Sequence, residues 1–171
     1  MEWAAALGPQ LTPPRRLLDL AMGRGRHALV CAGLGYRVFG VDVNVDAVRA
    51  ATREAESRGL LVRSWCADLT ATRLPRARFE AVVVARYLQR DLFGPIRDAV
   101  TPGGIVLYET FTSHQRAHGV GPTSADHLLE PGELRGRFDG FEVLFYEEVF
   151  APEAVARIVA RRPAVRGTAL P

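Results

Sequence analysis

The strongest constraint in this sequence is a single bend, Asp19-Leu20-Ala21-Met22-Gly23-Arg24-Gly25-Arg26-His27-Ala28. Before it, Arg16-Leu17-Leu18-Asp19-Leu20 reads as a buried strand. After it, Gly25 to Gly35 carries Ala28, Leu29 and Ala32 at helical spacing and ends on glycines. Gly23 and Gly25 permit a tight strand-to-helix turn and let a ligand come close to the backbone. The helix start adds oriented N–H groups that favour a carboxylate or a phosphate. A plain tight turn would use the same glycines, so the bend alone leaves both readings open.

The rest of the chain repeats the alternation. Arg37 to Val43 reads as a second strand, Val45 to Arg58 as a helix closed by Gly59, and Leu60 to Cys66 as a third strand. Phe79 to Ala85 holds the run Ala-Val-Val-Val-Ala of a strand covered on both faces. Asp91 to Val100 reads as helix, Thr101-Pro102-Gly103-Gly104 as a turn and Ile105 to Phe111 as the fifth strand. Ser113 to Glu130 is long, polar and broken by glycine and proline. A short helix at Pro131 to Phe138 follows, then an antiparallel pair at Phe141 to Val149 and Ala154 to Ala160. The fold expected is α/β: a doubly wound Rossmann-like sheet of about seven strands, mostly parallel, with an antiparallel C-terminal hairpin. A short helix at Glu2 to Leu7 and a connector to Pro14 are expected before the domain at 15–161, and a frayed tail at 162–171.

With 171 residues, 48% hydrophobic and 24% charged, the chain suits one soluble domain with a real core. No apolar run approaches the ~20 residues of a membrane span, and Met1-Glu2-Trp3 lacks the basic start of a signal peptide. Two cysteines, Cys31 and Cys66, argue against a disulfide framework and for a reducing cytoplasm. The net charge of +3 suggests nucleic acid, but 22 basic residues, all Arg, are interspersed with 19 acidic ones and argue against it.

Two acidic residues add meaning to the bend. Asp42, at the end of the second strand, stands where such folds place a carboxylate that accepts from both ribose hydroxyls. Asp68 ends the third strand, where it can accept from an adenine amine with Leu69 against the ring. Asp42 could instead serve the next helix start through Asn44 or Asp46, and Asp68 could simply begin a turn.

The chain resembles the class I S-adenosylmethionine-dependent methyltransferases over roughly Arg15 to Ala160. Asp19 to Gly25 resembles their first motif, with Ala21 where glycine is usual; Val41-Asp42 resembles the ribose-binding acid and Ala67-Asp68-Leu69 the adenine segment. Thr101 to Ile105 resembles the turn before their strand five. Gly25-Arg26-His27-Ala28, Gly35-Tyr36-Arg37-Val38, Pro131-Gly132-Glu133-Leu134 and Phe141 to Glu148 resemble the small tellurite-resistance-type members in particular. The oxyanion-handling histidine and arginines of those enzymes have no counterpart, because Val149-Phe150-Ala151-Pro152-Glu153 turns directly into the last strand. The resemblance implies S-adenosylmethionine as cofactor, bound by Asp19, Ala21, Gly23, Gly25, Arg26, His27, Asp42, Val43, Ala67, Asp68, Leu69 and Arg86, with a small-molecule acceptor.

Methyl transfer from a sulfonium is an in-line displacement with a neutral leaving group, so alignment matters more than a catalytic triad. After strand four, the backbone at Arg86 is expected beside the methionine part of the cofactor, and Tyr87 nearest the methyl group. Arg86 and Arg90 read equally as solvated surface, and Tyr87 as a packing aromatic. After strand five, His114 has the chemistry of a base near neutral pH. His114, His118 and His127 lack metal-ligand spacing, so no metal is expected. Two other readings compete: a nicotinamide-dependent oxidoreductase, since Asp42 follows the glycines by about 19 residues, and a cofactor-binding scaffold without catalysis. A homodimer is left open.

Overall fold

The computed structural model describes residues 15–164. The expected helix at Glu2 to Leu7, the connector after it and the last seven residues lie outside them. The described chain forms one seven-stranded sheet in the order β3-β2-β1-β4-β5-β7-β6. Strands β1 (Arg16–Leu20), β2 (Arg37–Asp42), β3 (Val62–Cys66), β4 (Phe79–Ala85) and β5 (Val100–Phe111) are mutually parallel. β7 (Val155–Arg161) runs antiparallel between β5 and β6 (Glu142–Val149).

Alternation along the strands divides the core. Leu18, Leu20, Val82, Val84, Val106 and Tyr108 face helices α3 (Phe93–Ala99) and α4 (Glu133–Arg137). Leu17, Ala81, Val83, Ile105 and Leu107 face the side of α1 (Arg26–Gly33) and α2 (Val45–Ser57). Small residues set the spacing there. A Cβ on Gly25 would stand 2.9 Å from the Ala51 Cβ, and Gly25 itself sits at φ 77°. Met22 folds over Gly40 of β2 so closely that a Cβ there would collide with its sulfur. The bend is therefore seated against α2 through Gly25 and on β2 through Gly40.

Three expectations need correction. Thr101 to Gly104 is not a turn: β5 already begins at Val100, pairs there with Phe79, and bulges before Ile105 meets Ala81. The helix expected over Asp91 to Val100 is a single 3-10 turn at Arg90–Leu92 followed by α3. Arg162, placed at the head of a frayed tail, is anchored: its guanidinium donates to the carbonyls of Arg97, Asp98 and Val100 at 3.1, 3.1 and 2.7 Å, satisfying the end of α3.

The polar stretch after β5 is pinned rather than loose. It makes two short 3-10 helices, Ser113–His118 and Ala125–His127, and buries Gln115, Leu128 and Leu129. The Gln115 amide donates to Val120 O and accepts from Ala154 N, joining this loop to the link before β7.

Candidate active site

In a parallel sheet the carboxyl ends of β1 to β5 share one edge, and the strand order reverses between β1 and β4. Loops after those two strands diverge there and leave a crevice. Every residue singled out around the bend and the strand ends falls on this edge.

The bend is built from positive φ angles: Ala21 at 52°, Gly23 at 55° and Gly25 at 77°. For Ala21 this costs about 1 kcal/mol, so the departure from glycine is tolerated rather than free. Asp42 holds the bend. Its Oδ2 accepts from Gly23 N at 2.7 Å and its Oδ1 from Asn44 N at 2.8 Å. The start of α2 is capped by Asn44, whose Oδ1 accepts from the Asp46 and Ala47 amides, so Asp42 is not consumed as the cap. Each Asp42 oxygen keeps a further lone pair for a ligand hydroxyl.

Asp19 lies beneath, 1% exposed. The Ala28 amide donates to its carboxylate, while Oδ2 has no hydrogen-bond partner among the described residues. Burial pushes this carboxyl up to about 7, the Asp42 charge adds to the rise, and Arg26 opposes it. A buried acceptor left open beside a glycine bend fits the cationic amino-acid end of S-adenosylmethionine. Arg26 opens α1 on the surface, and His27 behind it is buried, its pKa lowered first by burial and then by Arg26.

On the other flank, Ala67 N donates to Asp42 O at 3.0 Å and ties the end of β3 to that of β2. Asp68 is exposed, and its carboxyl is held below the usual range by the Thr70 amide. Leu69 is buried, whereas Val43 is 69% exposed, an apolar side chain beside Asp42 with nothing over it among the described residues. A groove of about 670 Å³ opens between Leu69–Leu74 and Gln89–Asp98. Polar acceptors flanked by apolar side chains suit a nucleoside.

The loop after β4 differs from expectation. The Tyr87 hydroxyl donates to Gln89 Oε1 at 2.7 Å, and burial together with the Asp68 and Asp42 charges raises its pKa. Arg86 and Arg90 are not solvated surface. Arg86, at φ 60°, pairs with Glu109 and Glu153 and lies 4.6 Å over the Phe111 ring. Arg90 donates to Glu133 through Nε and NH2, both at 2.8 Å, and to the carbonyls of Ala125 and Leu128. Glu109, Glu133 and Glu153 were not singled out in the sequence. No sequence pattern signals them, because their arginine partners on the loop after β4 are distant along the chain. His114 is exposed, its ring edge-on to Phe150 at 5.0 Å, so it sits by the β6–β7 link. His118 and His127 are exposed, and no group of three or more His, Cys, Asp or Glu that could hold a metal occurs among the described residues.

Residues 17–104 match the family model described as a methyltransferase domain. Demethylmenaquinone methyltransferase of Thermus thermophilus is 31% identical over 160 residues, spanning 86% of this chain and 73% of that protein. Ubiquinone biosynthesis O-methyltransferase of a Methylobacterium species is 29% identical over 159 residues, spanning 90% of this chain and 61% of that one. In fold, TehB from Haemophilus influenzae superposes with a TM-score of 0.79 at 19% identity, covering 94% of this chain and 61% of that chain.

Proposed function

The chain belongs to the methyltransferase domain family and takes the methyl group of S-adenosylmethionine to a small molecule, and from that premise we propose which residues hold the donor and what kind of acceptor receives it. Asp42 takes the ribose hydroxyls, Asp68 the adenine amine, and Leu69, Val43 and Ala67 the faces of the base and sugar. Asp19, through its open Oδ2, and the backbone of Ala21, Gly23, Gly25 and Arg86 take the methionine end, with Arg26 and His27 bordering it. The observation that carries this reading is Asp19 Oδ2, buried and unpartnered among the described residues, under a bend whose next strand presents Asp42.

When bound, S-adenosylmethionine supplies a methyl carbon on a sulfonium that departs as a neutral thioether. What this chain adds is alignment and exclusion of water, worth roughly 7–11 kcal/mol when the geometry is near attack. The acceptor is proposed to be an aromatic hydroxyl compound of the quinol kind. Two aromatic contacts near the carboxyl edge support this, His114 against Phe150 and Arg86 over Phe111, and the two relatives carry quinone-pathway names. Arg86, the guanidinium at the centre, is already balanced by two carboxylates, which disfavours an inorganic oxyanion. A phenol must lose its proton as it attacks, and the His114 imidazole is the base assigned to take it. Tyr87 is assigned to donor binding, beside Asp42 and Asp68. No helix among the described residues is long and apolar enough to cross a membrane, and the cytoplasm is the compartment we propose.

Calorimetry with S-adenosylmethionine and S-adenosylhomocysteine tests the donor site: micromolar binding is expected, lost in Asp42→Ala. Mass spectrometry after incubation with catechol, hydroquinone, tellurite and a primary amine tests the acceptor. Methylation of the phenols alone is expected, reduced about 10²-fold in His114→Ala; transfer to tellurite alone would refute the acceptor class.

A further inference from the structure

Ala21 and Arg86 are the two non-glycine residues of the site at positive φ, each immediately after one of the adjoining strands β1 and β4. Such a conformation persists only where the surroundings impose it. For Arg86 a single residue of β5 does most of the imposing. The Glu109 main-chain carbonyl accepts from Arg86 N at 2.8 Å, and Glu109 Oε1 accepts from Arg86 Nε at 3.1 Å. Its second oxygen accepts from Arg157 Nε at 2.6 Å, and Arg157 in turn donates through NH1 to Glu147 at 2.8 Å. The Glu109 side chain is 11% exposed, and with Arg86 and Arg157 it borders a cleft of about 300 Å³ on the α1 side of the sheet.

We propose that Glu109 is a positioning residue for the methyl transfer: by gripping Arg86 through main chain and side chain together, it fixes the backbone against which the methionine end of the donor rests. The inference rests on the donor placement given above. A carboxylate is needed for this, because two guanidiniums draw on it at once and a glutamine offers one acceptor oxygen where they need two. Arg157 acts from behind, holding the carboxylate at the angle that meets Arg86 Nε. Small displacements at this point reach the reaction, since in-line transfer loses about 10²-fold in rate for a shift near 1 Å.

The experiment compares Glu109→Gln with Glu80→Gln. Glu80 of β4 pairs with Arg16 of β1 at the opposite edge of the same sheet, so it matches the loss of an ion pair without touching the site. Amide hydrogen exchange is measured on the ligand-free proteins, and S-adenosylhomocysteine affinity by calorimetry. In Glu109→Gln the Arg86 and Tyr87 amides are expected to exchange at least fivefold faster, and the ligand to bind about tenfold more weakly. Arg86→Met, which releases the grip from the other side, is expected to follow it. Glu80→Gln should lower the thermal midpoint while leaving both readouts at the parent level. Parent-like exchange at Arg86 and Tyr87 in Glu109→Gln, or equal loss of affinity in Glu80→Gln, overturns the proposal. Failure of the unaltered protein to bind the ligand would instead overturn the donor reading, and the exchange data would still decide whether Glu109 holds Arg86.

Discussion

Asp19 concentrates the chemistry of the donor site in one side chain. Its ionisation is opposed by burial, so its folded pKa, about 7, lies above the ordinary 3.8. The unfolded chain therefore gives up this proton at lower pH than the folded one. Stability falls as pH rises from about 4 towards 7 and stays reduced above that, by an amount on the order of a few kcal/mol. Asp19→Asn removes this cost and is expected to raise the thermal midpoint at pH 8 by several degrees while changing it little at pH 4. The same variant should lose donor affinity at pH 8 by tenfold or more, since a cationic ligand end prefers the ionised acid. In the unaltered protein the affinity for S-adenosylmethionine should accordingly be weaker at pH 6 than at pH 8; a flat profile in calorimetry at those two values would show that Asp19 does not face the ligand.

Elements place such residues, and here the sequence is legible to different depths. The run from Ala81 to Val84 announces a strand covered on both faces, and it lies in the middle of the sheet. Asp42 and Asp68 are readable because a parallel sheet delivers its strand ends to one edge. Arg90, Gln115 and Glu109 are not readable, because each derives its role from a partner 43, 39 or 23 residues away. The Thr101 to Gly104 segment misleads for a related reason: proline and glycine signal a turn, yet pairing of Val100 with Phe79 draws the segment into β5 as a bulge. Among the hidden residues Arg90 ties the loop after β4 to the start of α4. Its partner Glu133, through bonds from Arg90 and Arg137 that outweigh partial burial, has its carboxyl lowered from 4.5 to about 2. That carboxylate contributes stability above about pH 4.5, and the contribution disappears as pH falls through 4.5 to 2. Glu133→Gln is expected to lower the unfolding free energy at pH 7 by about 2 kcal/mol and to flatten its decline between pH 5 and pH 3 in urea denaturation. Equal slopes for both proteins would mean that the pair contributes nothing to acid sensitivity.

At the scale of the whole molecule, chemistry and anchorage occupy opposite edges of one sheet. The carboxyl edge carries Asp19, Asp42, Asp68 and Arg86, and of these Asp19 has an open oxygen and Arg86 a strained backbone, features that cost stability. The amino edge carries Arg16 paired with Glu80, and Arg162 donating to the carbonyls that end α3. A ligand spanning the reversal between β1 and β4 would supply the partners that the first edge lacks and add nothing to the second. Binding at a hundredfold excess over Kd stabilises the fold by about 2.7 kcal/mol in total, but its local effect should be uneven. Hydrogen exchange with saturating S-adenosylhomocysteine is expected to slow at 19–29, 42–47, 67–70 and 86–90, beyond the uniform protection that mass action gives to globally exchanging amides. Locally opening amides at 100–104 and 161–164 should keep their rates. Protection spread evenly over both edges would mean that the ligand tightens the sheet as one body, and the division of labour between its edges would then be a feature of the hydrogen bonds alone.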